Sequence, residues 1–126
     1  MTAKRVLSVG QCWADHGSIS RTLKKEFGAE VEPADDPEAA LEHLRQGGYA
    51  LVLVNRVLDA GGESGMELLK RVKSDPELRS VPVMLVSNYE EAQKEAESAG
   101  AVPGFGKASL GYPPMLERLR PFLGGE

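Results

Sequence analysis

Five short apolar runs alternate with five helix-like segments along this chain, with short connections and no internal repeat. Alternation of this kind builds a parallel sheet covered on both faces by helices, with right-handed crossovers. The first strand is expected at Arg5 to Val9, followed by a helix capped by Ser18 or nearby Asp15, with Ile19, Leu23 and Phe27 on one face. Gly28 stops that helix. A weak strand is expected at Glu30 to Ala34, then Asp35-Asp36-Pro37 opens a helix that runs to Gln46. Tyr49 to Asn55 forms the third strand. Ser64 caps a third helix with Met66, Leu69 and Val72 inward, and Asp75-Pro76 breaks it. Pro82 to Ser87 is the fourth strand. The fourth helix, Tyr89 to Ala99, offers the sheet mainly Ala92, Ala96 and Ala99, so weak docking supported by a Glu90–Lys94 pair is expected. Val102 to Gly106 makes a poor fifth strand. A last helix starts at Pro113, and Pro121 is expected to kink or end it.

With 126 residues, the chain is long enough for one domain, residues 1–126, with a core that needs no staples. For five strands, the leading arrangement is a flavodoxin-like, three-layer α/β/α sandwich with a five-stranded parallel sheet in the order 2-1-3-4-5. Chemistry in such sheets gathers past the carboxyl ends of the strands, at the switch point between strands one and three. Gly10, Gln11, Cys12 and Asn55 fall there, and strands four and five bring Ser87 and Lys107 to the same edge.

A net charge of −4 argues against a chain built to coat nucleic acid. No apolar stretch approaches membrane-spanning length, and Met1-Thr2-Ala3-Lys4-Arg5 lacks the apolar core of a secretory signal. One cysteine, Cys12, forms no internal disulfide and fits a reducing cytoplasm.

The edge residues and their order resemble the receiver domains (CheY-like) of two-component response regulators. Lys4-Arg5-Val6-Leu7-Ser8-Val9 is similar to the receiver opening, and Tyr49-Ala50-Leu51-Val52-Leu53-Val54 to the strand that ends in the phosphoacceptor. Gly65-Met66-Glu67-Leu68-Leu69-Lys70 looks like the glycine-led third helix. Val81-Pro82-Val83-Met84-Leu85-Val86-Ser87 resembles the strand ending in the switch hydroxyl, and Lys107 matches the phosphate-reading lysine. The resemblance implies a cytoplasmic protein of phosphorelay signal transduction that acts by protein–protein binding rather than as an enzyme. Its implied partner is a histidine kinase or a downstream effector.

The departures concern the site. Gly10 and Gln11 stand where receivers carry an acidic pair, and Asn55 stands where they carry the acceptor aspartate. Magnesium needs at least one or two carboxylates, so weak or absent binding is expected and no other cofactor is implied. Without the metal, acyl phosphate formation loses its main charge stabiliser. Ala108 replaces the proline after the lysine, and a cis bond there would cost about 2.5–4 kcal/mol. Gly104 takes the place of the switch aromatic, with Phe105 shifted by one, and Asn88 replaces a small residue. The loop after Asn55 is longer than usual and contains Gly61-Gly62.

The expectation is therefore a degenerate receiver, or pseudo-receiver, with Lys107 and Ser87 facing a neutral pocket. Tyr89, Phe105 and Tyr112 make up its candidate interaction surface, on the fourth helix, fifth strand and fifth helix that receivers use. Two alternatives stay open: a receiver switched by another acceptor or by an anion at Lys107, and a small flavodoxin-like enzyme or carrier using Cys12, four residues before His16. Plainer roles compete at each position. Asn55 could simply pin its loop, and Lys107 could pair with Asp15 or Asp59. Trp13 could cover the sheet edge or join a partner surface, and His43 is expected at the surface.

Overall fold

The structure is a computed structural model describing residues 4–58, 61–62 and 64–124. Its elements run β1 (Arg5–Val9), α1 (Trp13–Phe27), β2 (Glu30–Ala34), α2 (Pro37–Gln46), β3 (Tyr49–Asn55), α3 (Gly65–Ser74), β4 (Val83–Val86), α4 (Glu90–Ser98), β5 (Val102–Phe105) and α5 (Pro113–Leu123). A short 3-10 turn, Lys107–Ser109, precedes α5. The strands are parallel in the order β2-β1-β3-β4-β5. That is the expected flavodoxin-like sandwich.

The central strands are buried on both faces, and successive side chains alternate between them, as pleating requires. Val52, Val54, Val83 and Leu85 face α2, α3 and α4, whereas Leu51, Leu53, Met84 and Val86 face α1 and α5. Both edge strands carry a proline, Pro33 in β2 and Pro103 in β5, where a missing ladder donor does least harm. The polar edge of β2 is tied inward at the amino end of the sheet. Arg5 Nε and Nη2 donate to Glu32 at 2.9 and 3.1 Å, and Tyr49 Oη donates to Glu32 Oε1 at 2.7 Å. Burial, together with the hydrogen bond to Glu32, pushes the Tyr49 phenol up to about 12. His43 belongs to this cluster, its Nδ1 lying 3.1 Å from Tyr49 Oη, so it is half-buried and not the expected surface histidine.

Two further expectations are corrected. Helix α1 begins at Trp13, not near Ser18, because extended Cys12 is its N-cap and Cys12 Sγ accepts from the Asp15 amide at 3.4 Å. Pro121 lies inside α5 without ending it. It sits in the last turn, so one backbone bond is lost, while Leu119 and Leu123 on either side are buried and carry the helix onward. Lys4 Nζ donates to the carbonyl of Phe122 at 3.1 Å near that end.

Helix α4 is held by more than alanines. No ion pair joins Glu90 and Lys94 among the described residues. Instead Gln93 reaches across the carboxyl ends of β4 and β5. Its Nε2 donates to the carbonyls of Leu85 (2.8 Å), Ser87 (3.1 Å) and Phe105 (3.4 Å), and its Oε1 accepts from the Gly104 amide at 3.2 Å. Among the described residues, no helix is long and apolar enough to cross a membrane.

Candidate functional site

The carboxyl edge of the sheet brings Asn55, Ser87 and Lys107 to one cavity of about 340 Å³, lined also by Arg56, Val57, Val86, Asn88 and Tyr89. None of these lining residues is a carboxylate. The expected neutral pocket is corrected by Arg56, a second cation beside Lys107 that the sequence reading missed. Its guanidinium lies 5.1 Å from the centroid of the Tyr89 ring. An arginine directly after the strand-ending asparagine was the available signal.

Asn55, Ser87, Asn88 and Lys107 each already have a protein partner. Asn55 Nδ2 donates to the carbonyl of Gly10 at 3.1 Å, tying β3 to the loop after β1. Ser87 Oγ accepts from the Tyr89 amide at 3.1 Å, where α4 has no other side-chain cap. Asn88 Oδ1 accepts from the Ala108 amide at 3.0 Å and lies over Gly106, where a Cβ would collide with it. That bond braces the turn carrying Lys107. No described peptide bond is cis, the one between Lys107 and Ala108 included.

Lys107 Nζ pairs with Asp15 Oδ2 at 2.5 Å, joining the turn to α1. The Lys107 hydrogen bond holds the Asp15 carboxyl below the usual carboxylate range, against the opposing effect of burial. Of the two proposed partners of Lys107, Asp15 is the one engaged; Asp59 lies outside the described residues.

Gly10 and Gln11 stand apart from the cavity. Gly10 has φ +74°, a left-handed conformation natural to glycine. A Cβ there would strike the Leu58 side chain and come within 2.9 Å of Leu58 Cα. Leu58 is wholly buried, in the loop closed by Gly62 N–H donating to the Leu58 carbonyl at 2.8 Å. A side chain at position 10 therefore requires Leu58 to shift. Gln11 is buried, and neither atom of its amide has a hydrogen-bond partner among the described residues. Among the described residues, the amides of Gln11 and Asn55 and the Leu58 side chain packed on Gly10 do not fit magnesium, which needs at least one or two carboxylates.

The remaining candidates divide by exposure. Tyr89 and Tyr112 are each 63% exposed. Phe105 is corrected: it is buried among Val86, Met84, Met115 and Leu119, so it offers no surface to a partner. Cys12 is half-buried and its sulfur caps α1. Trp13 is exposed and stacks on His16, ring centroids 6.1 Å apart, rather than covering the sheet edge.

No protein-family model matches the chain. Its sequence is 29% identical over 84 residues to chemotaxis protein CheY-3 of Vibrio cholerae serotype O1, which covers 66% of this chain and 63% of that one. The chain therefore spans just under two thirds of the length of the curated relatives it matches. The bacteriophytochrome response regulator AtBRR superposes with a TM-score of 0.75 at 27% identity, covering 98% of this chain and 94% of the other. The fold is that of a CheY-like receiver. The chemotaxis response regulator CheY4 of Vibrio cholerae shares this receiver architecture, with a TM-score of 0.76 at 22% identity, covering 97% of this chain and 100% of that one. Asn55, Ser87 and Lys107 stand together at the carboxyl edge of this receiver fold.

Proposed function

We propose that this receiver-fold domain serves two-component signal transduction as a pseudo-receiver, binding a protein partner without being switched by aspartyl phosphorylation. The observation that carries the reading is Leu58 packed against Gly10, which excludes a carboxylate from one side of Asn55 while the Asn55 amide is spent on the Gly10 carbonyl. With no carboxylate among the described residues of the cavity lining, a divalent ion lacks an anchor there and phosphoryl transfer lacks a charge stabiliser. The partner is a protein such as a histidine kinase or downstream effector, and the domain acts as a binding module rather than an enzyme.

The test is incubation with acetyl phosphate and magnesium, followed by intact mass measurement and magnesium calorimetry. The expected result is an unchanged mass and no binding heat. A phosphoryl adduct on any aspartate, accompanied by saturable magnesium binding, overturns the reading.

Arg56 beside Lys107 favours a second reading, in which an anion bound in the same cavity switches the domain. Such an anion would have to compete with Asp15 for Lys107 and with the Tyr89 amide for Ser87. Inorganic phosphate titrated into labelled protein separates the two readings, since only the second moves the Lys107 and Ser87 amides saturably.

A further inference from the structure

A larger concavity, about 840 Å³, runs between α3 and α4 beside the cavity at Asn55. Its apolar floor includes Val57 and Tyr89, which are 44% and 63% exposed and so are two of the few large apolar side chains turned to solvent. Glu67 projects from the α3 side; Glu90, Glu91 and Glu95 project from the α4 side. All four are exposed, and none makes an ion pair among the described residues. Two cations, Arg56 and Lys70, share the groove, and Arg56 is turned onto the Tyr89 ring. Four carboxylates against two cations leave an acidic rim around an apolar floor.

We infer that this α3–α4 groove docks a basic amphipathic helical segment of a partner protein. The inference rests on the protein-binding reading above and specifies both surface and partner chemistry. An acidic rim raises the local concentration of a cationic segment, and desolvated apolar contacts at Val57 and Tyr89 then fix its register. The nine residues of α4 extend for about 13 Å, enough to accompany two to three turns of a docked helix. Glu90 and Glu91 also complement the α4 N-terminus, but Glu95 and Glu67 lie on the groove without that reason. The groove uses the α3 side of α4, opposite in sense to the α4–β5–α5 surface on which Tyr112 lies.

The experiment titrates the ¹⁵N-labelled chain with three synthetic peptides: an amphipathic lysine–leucine helix, a scrambled version of the same composition, and a glutamate–leucine counterpart. The lysine–leucine helix should shift the amides of Val57, Glu67 and Tyr89 to Glu95. Its affinity should fall at least tenfold in the Glu91→Lys/Glu95→Lys double variant and fall again with added salt. Tyr89→Ala should weaken it severalfold without changing the salt dependence, which separates apolar from ionic contributions. Circular dichroism confirms that each variant is folded. No shift, equal response to the scrambled or acidic peptide, or shifts confined to α5 and β5 would overturn the groove. Shifts on another face would leave the protein-binding reading standing, whereas acetyl phosphate labelling would sink that reading and leave the groove intact.

Discussion

The Gln93 side chain of α4 closes against the α-carbon of Gly104 on β5, its Oε1 2.9 Å from where a Cβ would stand. That same Cβ would also meet the Leu85 carbonyl. The space over Gly104 is thus occupied from the helix. Gln93→Ala should destabilise the fold by roughly 1–3 kcal/mol, because strand-end carbonyls and the Gly104 amide lose their partner. Gly104→Ala should cost roughly 1–3 kcal/mol by overpacking. The double variant should lose less than the sum, since Gln93→Ala removes one of the two clashes. Urea unfolding of the four proteins checks this cycle.

Restoring carboxylates one at a time should not restore a metal site. Asn55→Asp replaces a donor by an acceptor facing the Gly10 carbonyl, and should cost about 1 kcal/mol or more. Gly10→Asp drives a Cβ into Leu58 and should cost roughly 1–3 kcal/mol. Magnesium calorimetry should remain flat for each variant. A micromolar site in Asn55→Asp alone would show that the loop rearranges readily.

The Lys107–Asp15 pair should be visible in acid. Asp15 has a lowered pKa in the folded state, so its contribution is present above the ordinary value of 3.8 and is lost as pH falls through the lower folded value. Both side chains are about a third exposed, which limits the contribution to about 1 kcal/mol or less. Asp15→Asn should flatten the acid limb of the stability curve, and Lys107→Ala should raise the Asp15 pKa. Chemical denaturation across the acid range, together with carboxyl NMR titration, measures both.

His16 works on a different limb. Burial holds its pKa below the ordinary 6.5, only partly opposed by Asp35, and its Nδ1 has no hydrogen-bond partner among the described residues. The unfolded chain therefore takes up the proton first, and stability should decline as pH drops below 6.5. His16→Gln should remove that part of the slope. An imidazole titrating above 6.5 in the folded protein would contradict the assignment.

Most of the fold was legible because its signals are local. The bounds of β1, β2, α2 and β3 follow from apolar runs and from the Asp36-Pro37 and Gly47-Gly48 punctuation, and their order follows from strand–helix alternation. The start of α1 was misread because sulfur is a poor cap and gives no sequence cue, whereas Asp15 and Ser18 do. Of the two effects expected of Pro121, a kink or an end, it does not end the helix, because burial of Leu123 decides the last turn. Of the site, Asn55, Ser87, Lys107 and Asp15 were legible from position alone. Gln93 and Leu58 were not, since each acts on residues far off in sequence, whereas Arg56 was passed over although it directly follows Asn55. A glutamine on a charged helix reads as one more solvated side chain, and Phe105 reads as a surface aromatic only while β5 is taken from its neighbours in other receivers.

Trp13, the single tryptophan, stands 83% exposed beside His16, and this decides how the protein can be watched. Its indole is hydrated before and after denaturation, so emission wavelength should barely move on melting, and fluorescence would pass over the transition. Quenching by a protonated imidazole one turn away should instead make its quantum yield follow acidification. The chain thus carries an optical reporter for the β1–α1 corner that is nearly blind to the rest of the molecule.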